Sequence, residues 1–191
     1  MSKDYENYEQ LFWECMIYLE QCFYKWLSFL PQYQILKDNE KIRIKQKYFR
    51  RGTIMEMVER SLPVHDVLRL HKAFFDPFSY VNGDFVEFSQ KILQFTIELR
   101  HFIISDEHFQ VVKLQLIFKD GIIGDGKAKL TMNYMDMLEE LEELMIYYEH
   151  DHHKSLNKTE KEELMQYHLV SNYSKPSLNR DFLSLDIFLS G

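Results

Sequence analysis

Pro31 sets the first constraint on this chain. It has no backbone N–H and its ring clashes with the turn before it, so the helical patterns on either side cannot run as one helix. Upstream, Tyr8, Leu11, Cys15, Tyr18, Leu19, Cys22, Trp26 and Leu30 recur at helical spacing, while Phe12, Trp13, Met16, Phe23 and Leu27 fill other faces. The spacing predicts a helix over 6–30 that is apolar almost all round, and such a helix must be buried between other elements. Downstream, Asp38 is positioned to cap a second helix over 38–60. Tyr33, Ile35 and Leu36 make the connection apolar, which predicts a loop lying against a core where most loops run wet. The second helix begins basic, with Lys41, Arg43, Lys45, Lys47, Arg50 and Arg51, and continues apolar through Ile54, Met55, Met57 and Val58. Its basic half suits phosphate or acidic groups or a nuclear-import signal, but reads first as a solvated face whose aliphatic stems cover the core.

The rest of the chain continues the helical pattern with one interruption. Residues 67–82 lack helical periodicity and are rich in aromatic and turn residues; Asp76-Pro77 and Asn82-Gly83 bracket a predicted small hairpin. Asp84 opens a helix to residue 102 whose stripe is Phe85, Phe88, Ile92, Phe95, Leu99 and Phe102. Ser105, Asp106 and Glu107 start the next, with acids where the helix dipole favours them. Apolar residues from Phe109 to Phe118 surround that helix, which predicts that it too is buried. Gly121, Gly124 and Gly126 mark a turn; without a preceding strand and a G-K-[ST] ending they do not make a phosphate loop. Residues 127–149 form an amphipathic helix, Leu130, Tyr134, Met137, Leu138, Leu141, Leu144, Met145 and Tyr148 inward, and Asp136, Glu139, Glu140, Glu142 and Glu143 outward as a solvated face. A shorter helix over 158–172 and a closing segment from Asp181 to Leu189 follow.

Composition excludes several classes. Hydrophobic residues are 46% and aromatics 15% of 191, so the chain is globular, and that length suits one domain. Six glycines and four prolines favour long helices over a many-turned β architecture. A net charge of −7 argues against direct nucleic-acid binding. Cys15 and Cys22 are too few for a zinc finger, and their spacing on one helix suits buried thiols in a reducing compartment. No apolar run would span a bilayer and no signal peptide is present, so we expect an intracellular chain without a membrane role. Glu149-His150-Asp151-His152-His153 has metal-ligating residue types but stands at the expected helix end with no second ligand cluster, so no metal site is assigned. Neither a nucleophile elbow, an H-E-x-x-H helix nor an inward carboxylate pair occurs, and no cofactor is implied; the chain does not read as an enzyme.

From Trp26 to Ile44 the order Trp26, Pro31, Tyr33, Leu36, Glu40, Lys41, Ile42 and Ile44 resembles the signature of nuclear hormone receptor ligand-binding domains. Arg60-Ser61 falls, without a gap, where many of these receptors carry Arg-Ser, and the segment 107–121 with Phe109 and Lys113 is similar to a later block of the family. The likeness is nearest to the divergent receptors of nematodes. It implies an all-α, three-layer antiparallel helical sandwich with a small β-hairpin, the family's first helix missing and no DNA-binding domain in this chain. It also implies a nuclear protein that regulates transcription and takes a lipophilic small molecule such as a fatty acid. The implied pocket is lined by Phe12, Cys15, Met16 and Leu19 on the first helix and Thr53, Ile54, Met57 and Arg60 on the second. Arg60 would pair with a ligand carboxylate; the alternative is an arginine paired with Glu56 or exposed. Coregulator proteins would bind a groove at Ser28, Lys45, Gln46 and Asp186, with a weakened charge clamp because Ser28 stands where the family has a basic residue. A homo- or heterodimer is a further implied partner. The alternatives are a core filled by its own aromatics, a helical interaction module with no small-molecule ligand, and a lipid carrier outside transcription.

Overall fold

The computed structural model describes residues 3–71, 73–80, 84–118 and 127–155. Helix α1 spans Lys3–Phe29, and Pro31 ends it by starting a four-residue helix of its own, α2 (Pro31–Gln34), at the first position, where a missing N–H costs nothing. Helix α3 spans Asp38–Ser61. A two-stranded antiparallel hairpin follows, β1 (Leu68–Arg69) on β2 (Phe74–Phe75), then a 3-10 turn at Pro77–Ser79. Helices α4 (Asp84–Phe102), α5 (Asp106–Ile117) and α6 (Lys127–Ser155) complete the described chain, which is mostly helical with one small hairpin.

Three layers follow from which rings meet. Phe88 of α4 lies 5.9 Å from Phe12 of α1 and 5.4 Å from Tyr148 of α6, so α4 stands between the two. Helix α3 is likewise central: it packs on α1, α4, α5, α6 and β1, and residues 51–58 are all buried. Helix α5 joins this middle layer, with Phe118 at its end stacked at 6.4 Å on Trp26 of α1. Helices α1 and α3 run antiparallel, as the pairing of Tyr24 with Lys45 and of Tyr18 with Arg60 requires. Phe95 and Phe102 of α4 both meet Tyr134 near the start of α6, which makes that pair antiparallel too.

Several sequence-based expectations need correction. Helix α1 is not apolar all round: Gln10, Glu14, Tyr18, Gln21, Lys25 and Ser28 form an exposed stripe along its length, so it is an outer-layer helix. Helix α5 also has a wet side, with Val111 51% exposed. In the connection, Tyr33 and Leu36 are buried as expected, but Ile35 is 78% exposed. Asp38 does not cap α3; Lys37 holds that position, and the Glu40 carboxylate accepts from the Lys37 backbone N–H at 2.8 Å. The hairpin lies before Asp76 rather than between the two bracketing dipeptides: Asp76 instead caps the 3-10 turn, its Oδ1 accepting from Phe78 N–H at 2.9 Å. Ser105 does cap α5, accepting from His108 N–H at 3.1 Å. Helix α6 runs six residues beyond Glu149, through the His-rich stretch to Ser155, because nothing there breaks it. The glycine turn at 121–126, the helix over 158–172 and the closing segment from Asp181 lie outside the described residues.

Candidate site between α1 and α3

Phe23 of α1 lies directly over Gly52 of α3. A Cβ on Gly52 would meet the Phe23 ring at 2.3 Å, so only glycine lets the helices pack here. Seven of the eight residues expected to line a pocket are buried along these two helices. Phe12, Cys15, Met16, Leu19, Thr53, Ile54 and Met57 are each no more than 2% exposed and belong to or border one core. They are held by other side chains: Phe12 makes edge contacts with Trp13, Phe85 and Phe88, at 6.0, 5.1 and 5.9 Å. Thr53 satisfies its hydroxyl on the Phe49 carbonyl at 2.7 Å, which leaves its methyl to the core. Burial pushes the Cys15 thiol up to about 11, so it stays protonated and packs as a small apolar group.

Arg60 stands apart from the seven. Its guanidinium lies over the Tyr18 ring at 4.8 Å and donates to the Tyr18 hydroxyl at 3.2 Å, on the exposed side of α1. The His71 ring flanks Tyr18 at 4.7 Å. Glu56, one turn before Arg60, gives its carboxylate to another cation, Lys113.

Lys113 is the polar centre of the seam and was not assigned a role from sequence. It is 1% exposed, yet its ammonium donates to Glu56 at 2.6 Å and Glu59 at 2.7 Å and sits 4.6 Å over the Trp26 ring. Gln110 extends the network: it donates to Glu59 at 2.8 Å and accepts from the Trp26 indole N–H at 2.9 Å. One network thus joins α1, α3 and α5. Burial raises the Glu56 carboxyl above its ordinary value, a rise that Lys113 partly offsets. The signal was present in the sequence, as a charged residue inside an apolar run: Lys113 between Val112 and Leu114, Glu56 between Met55 and Met57.

The acidic run on α6 is not a merely solvated face. Arg51 pairs with Glu142 at 2.8 Å and Glu139 at 3.4 Å, and Arg50 with Glu149 at 2.9 Å. Glu140 takes Lys91 of α4. The last two cations of the basic run on α3 are therefore spent inside the fold. Of the groove residues, Ser28 is exposed with its hydroxyl on the Lys25 carbonyl at 2.6 Å, Lys45 lies 4.9 Å over the Tyr24 ring, and Gln46 is exposed. Asp186 lies outside the described residues. At the end of α3, Arg100 of α4 donates to the Leu62 carbonyl at 2.9 Å and the Ser61 carbonyl at 3.3 Å, satisfying groups a helix end leaves open. The Ser61 hydroxyl accepts from Arg69 N–H at 3.0 Å and so fixes the hairpin to α3.

Among the described residues no group of three His, Cys, Asp or Glu is arranged to hold a metal ion, and no helix is long and apolar enough to cross a membrane. No family model, curated protein or solved structure matches this chain.

Proposed function

We propose that this chain is a domain of the nuclear receptor ligand-binding type whose interior is filled by its own side chains, and that it regulates transcription through protein partners. The observation that carries the filled interior is the burial of Phe12, Cys15, Met16, Leu19, Thr53, Ile54 and Met57, each at 2% exposure or less. Those are the positions a lipophilic ligand would touch, and Phe12 among them already meets the rings of Trp13, Phe85 and Phe88. Arg60, turned onto Tyr18, is not aimed into that interior to meet a ligand carboxylate. Support for the receptor type is the order of elements: a long helix, a proline turn, a long helix ending in Arg60-Ser61, a two-stranded hairpin, then further helices. The exposed stripe along α1 weighs against it, because the helix that crosses a receptor domain is expected to be buried on all sides.

That same stripe favours a second reading, a helical interaction or dimerisation module outside transcription and without a small-molecule ligand. Fusion of residues 1–191 to a heterologous DNA-binding domain separates the two. A change in reporter output, in either direction, is expected for the receptor type. Reporter output equal to that of the DNA-binding domain alone removes the transcriptional role and leaves the interaction module.

A further inference from the structure

The corner where α1 meets α3 includes Ser28, Lys45 and Gln46 of the implied coregulator groove, but its composition points further. Between residues 25 and 47 the chain carries six cations, Lys25, Lys37, Lys41, Arg43, Lys45 and Lys47, against two carboxylates, Asp38 and Glu40. This is the reverse of the whole chain, whose net charge is −7. Arg50 and Arg51, further along α3, are neutralised by α6, whereas Lys25, Lys37, Lys41, Arg43 and Lys45 enter no salt bridge among the described residues. Two large apolar side chains protrude from the same corner, Phe29 at 67% and Ile35 at 78% exposure. The Gln34 amide donates to the Ser28 carbonyl at 3.0 Å, which ties the end of α2, and Ile35 after it, to the end of α1 that carries Phe29.

The nature of the partner follows from what is available at the surface. Lys41, Lys45 and Lys47 each cover a tyrosine ring, Tyr33, Tyr24 and Tyr48, so these rings offer no open platform for stacking bases. Phe29 and Ile35 project from a helix end and a tight turn, a convex shape, whereas a bound peptide helix needs a groove. Apolar tips ringed by lysines fit a surface that is anionic outside and apolar beneath. We infer that the α1–α3 corner docks reversibly on an anionic lipid surface, Phe29 and Ile35 entering the interface while Lys25, Lys37, Lys41 and Lys45 meet the headgroups. This contact is peripheral and goes beyond the sequence-based expectation of no membrane role, which rested on the lack of a spanning run.

Co-sedimentation of the full chain with phosphatidylcholine vesicles, with and without phosphatidylserine, tests the proposal. Binding is expected only with phosphatidylserine and is expected to weaken as salt rises. A lysine near such a surface contributes about fivefold to partitioning, so the Lys25→Gln, Lys37→Gln double variant should bind about 25-fold more weakly. Phe29→Ser with Ile35→Ser should also lose binding. All four side chains are exposed, so these variants should keep the wild-type circular dichroism. Failure to sediment with phosphatidylserine vesicles, or wild-type binding by either double variant, overturns the proposal. Binding to polyglutamate or to an oligonucleotide with none to vesicles overturns it too, in favour of an acidic protein or a nucleic acid.

Discussion

At the scale of the residue, Lys113 is the most consequential side chain in the described structure. An ammonium at 1% exposure is tolerated because Glu56, Glu59 and the Trp26 ring surround it. Removing it strands the Glu56 carboxylate, so Lys113→Ala is expected to cost about 3–5 kcal/mol in urea unfolding. Glu56 adds a pH dependence whose sign can be worked out. Its folded carboxyl lies above the ordinary 4.5, mainly through burial, so the ionised form is penalised in the folded state. The penalty is full well above the folded value and is relieved as pH falls through it toward 4.5. The stability of wild type relative to Glu56→Gln is therefore expected to rise as pH is lowered from neutral to weakly acidic. A difference that shrinks over that range would contradict the assignment.

At the scale of the element, one contact between α1 and α3 depends on an atom that is missing. Gly52 lies inside α3, where glycine is less favourable than alanine by about 1 kcal/mol, so Gly52→Ala would stabilise an isolated helix. Here the added Cβ falls 2.3 Å from a buried ring, and overpacking of this kind costs about 1–3 kcal/mol. Gly52→Ala is expected to lower the melting temperature, and Phe23→Leu in the same chain to recover part of the loss. A variant that melts at or above wild type would show that α1 does not lie on α3 as described. Elements were also where the sequence was most legible. The period of the α4 stripe located that helix at 84–102, and Pro31 and Ser105 marked true boundaries. The fully buried aspect of α1 was misjudged because Tyr18 counts as apolar by type, yet it closes an otherwise polar line from Gln10 to Ser28. Ion pairing across helices was not legible: Arg51 and Glu142 are 91 residues apart, and no periodicity links them.

At the scale of the whole molecule, two outer helices enclose a middle layer made of α3, α4 and α5. The helices, a small hairpin and most of the core could be anticipated from the helical period and its interruption at 67–82, whereas the three layers were implied by the receptor resemblance. The state of the interior could not, because aromatic and methionine residues that line a cavity and those that fill one are the same residues. Phe12, Met16 and Met57 were candidates for both, and their burial within one packed core is what favours a filled interior. That packing is the central claim, and native mass spectrometry of the chain purified from a eukaryotic host tests it most directly. The account predicts one species at the mass of the polypeptide alone. A stoichiometric lipid adduct that survives gentle desolvation, and is lost when Met57→Trp fills the seam, would contradict it.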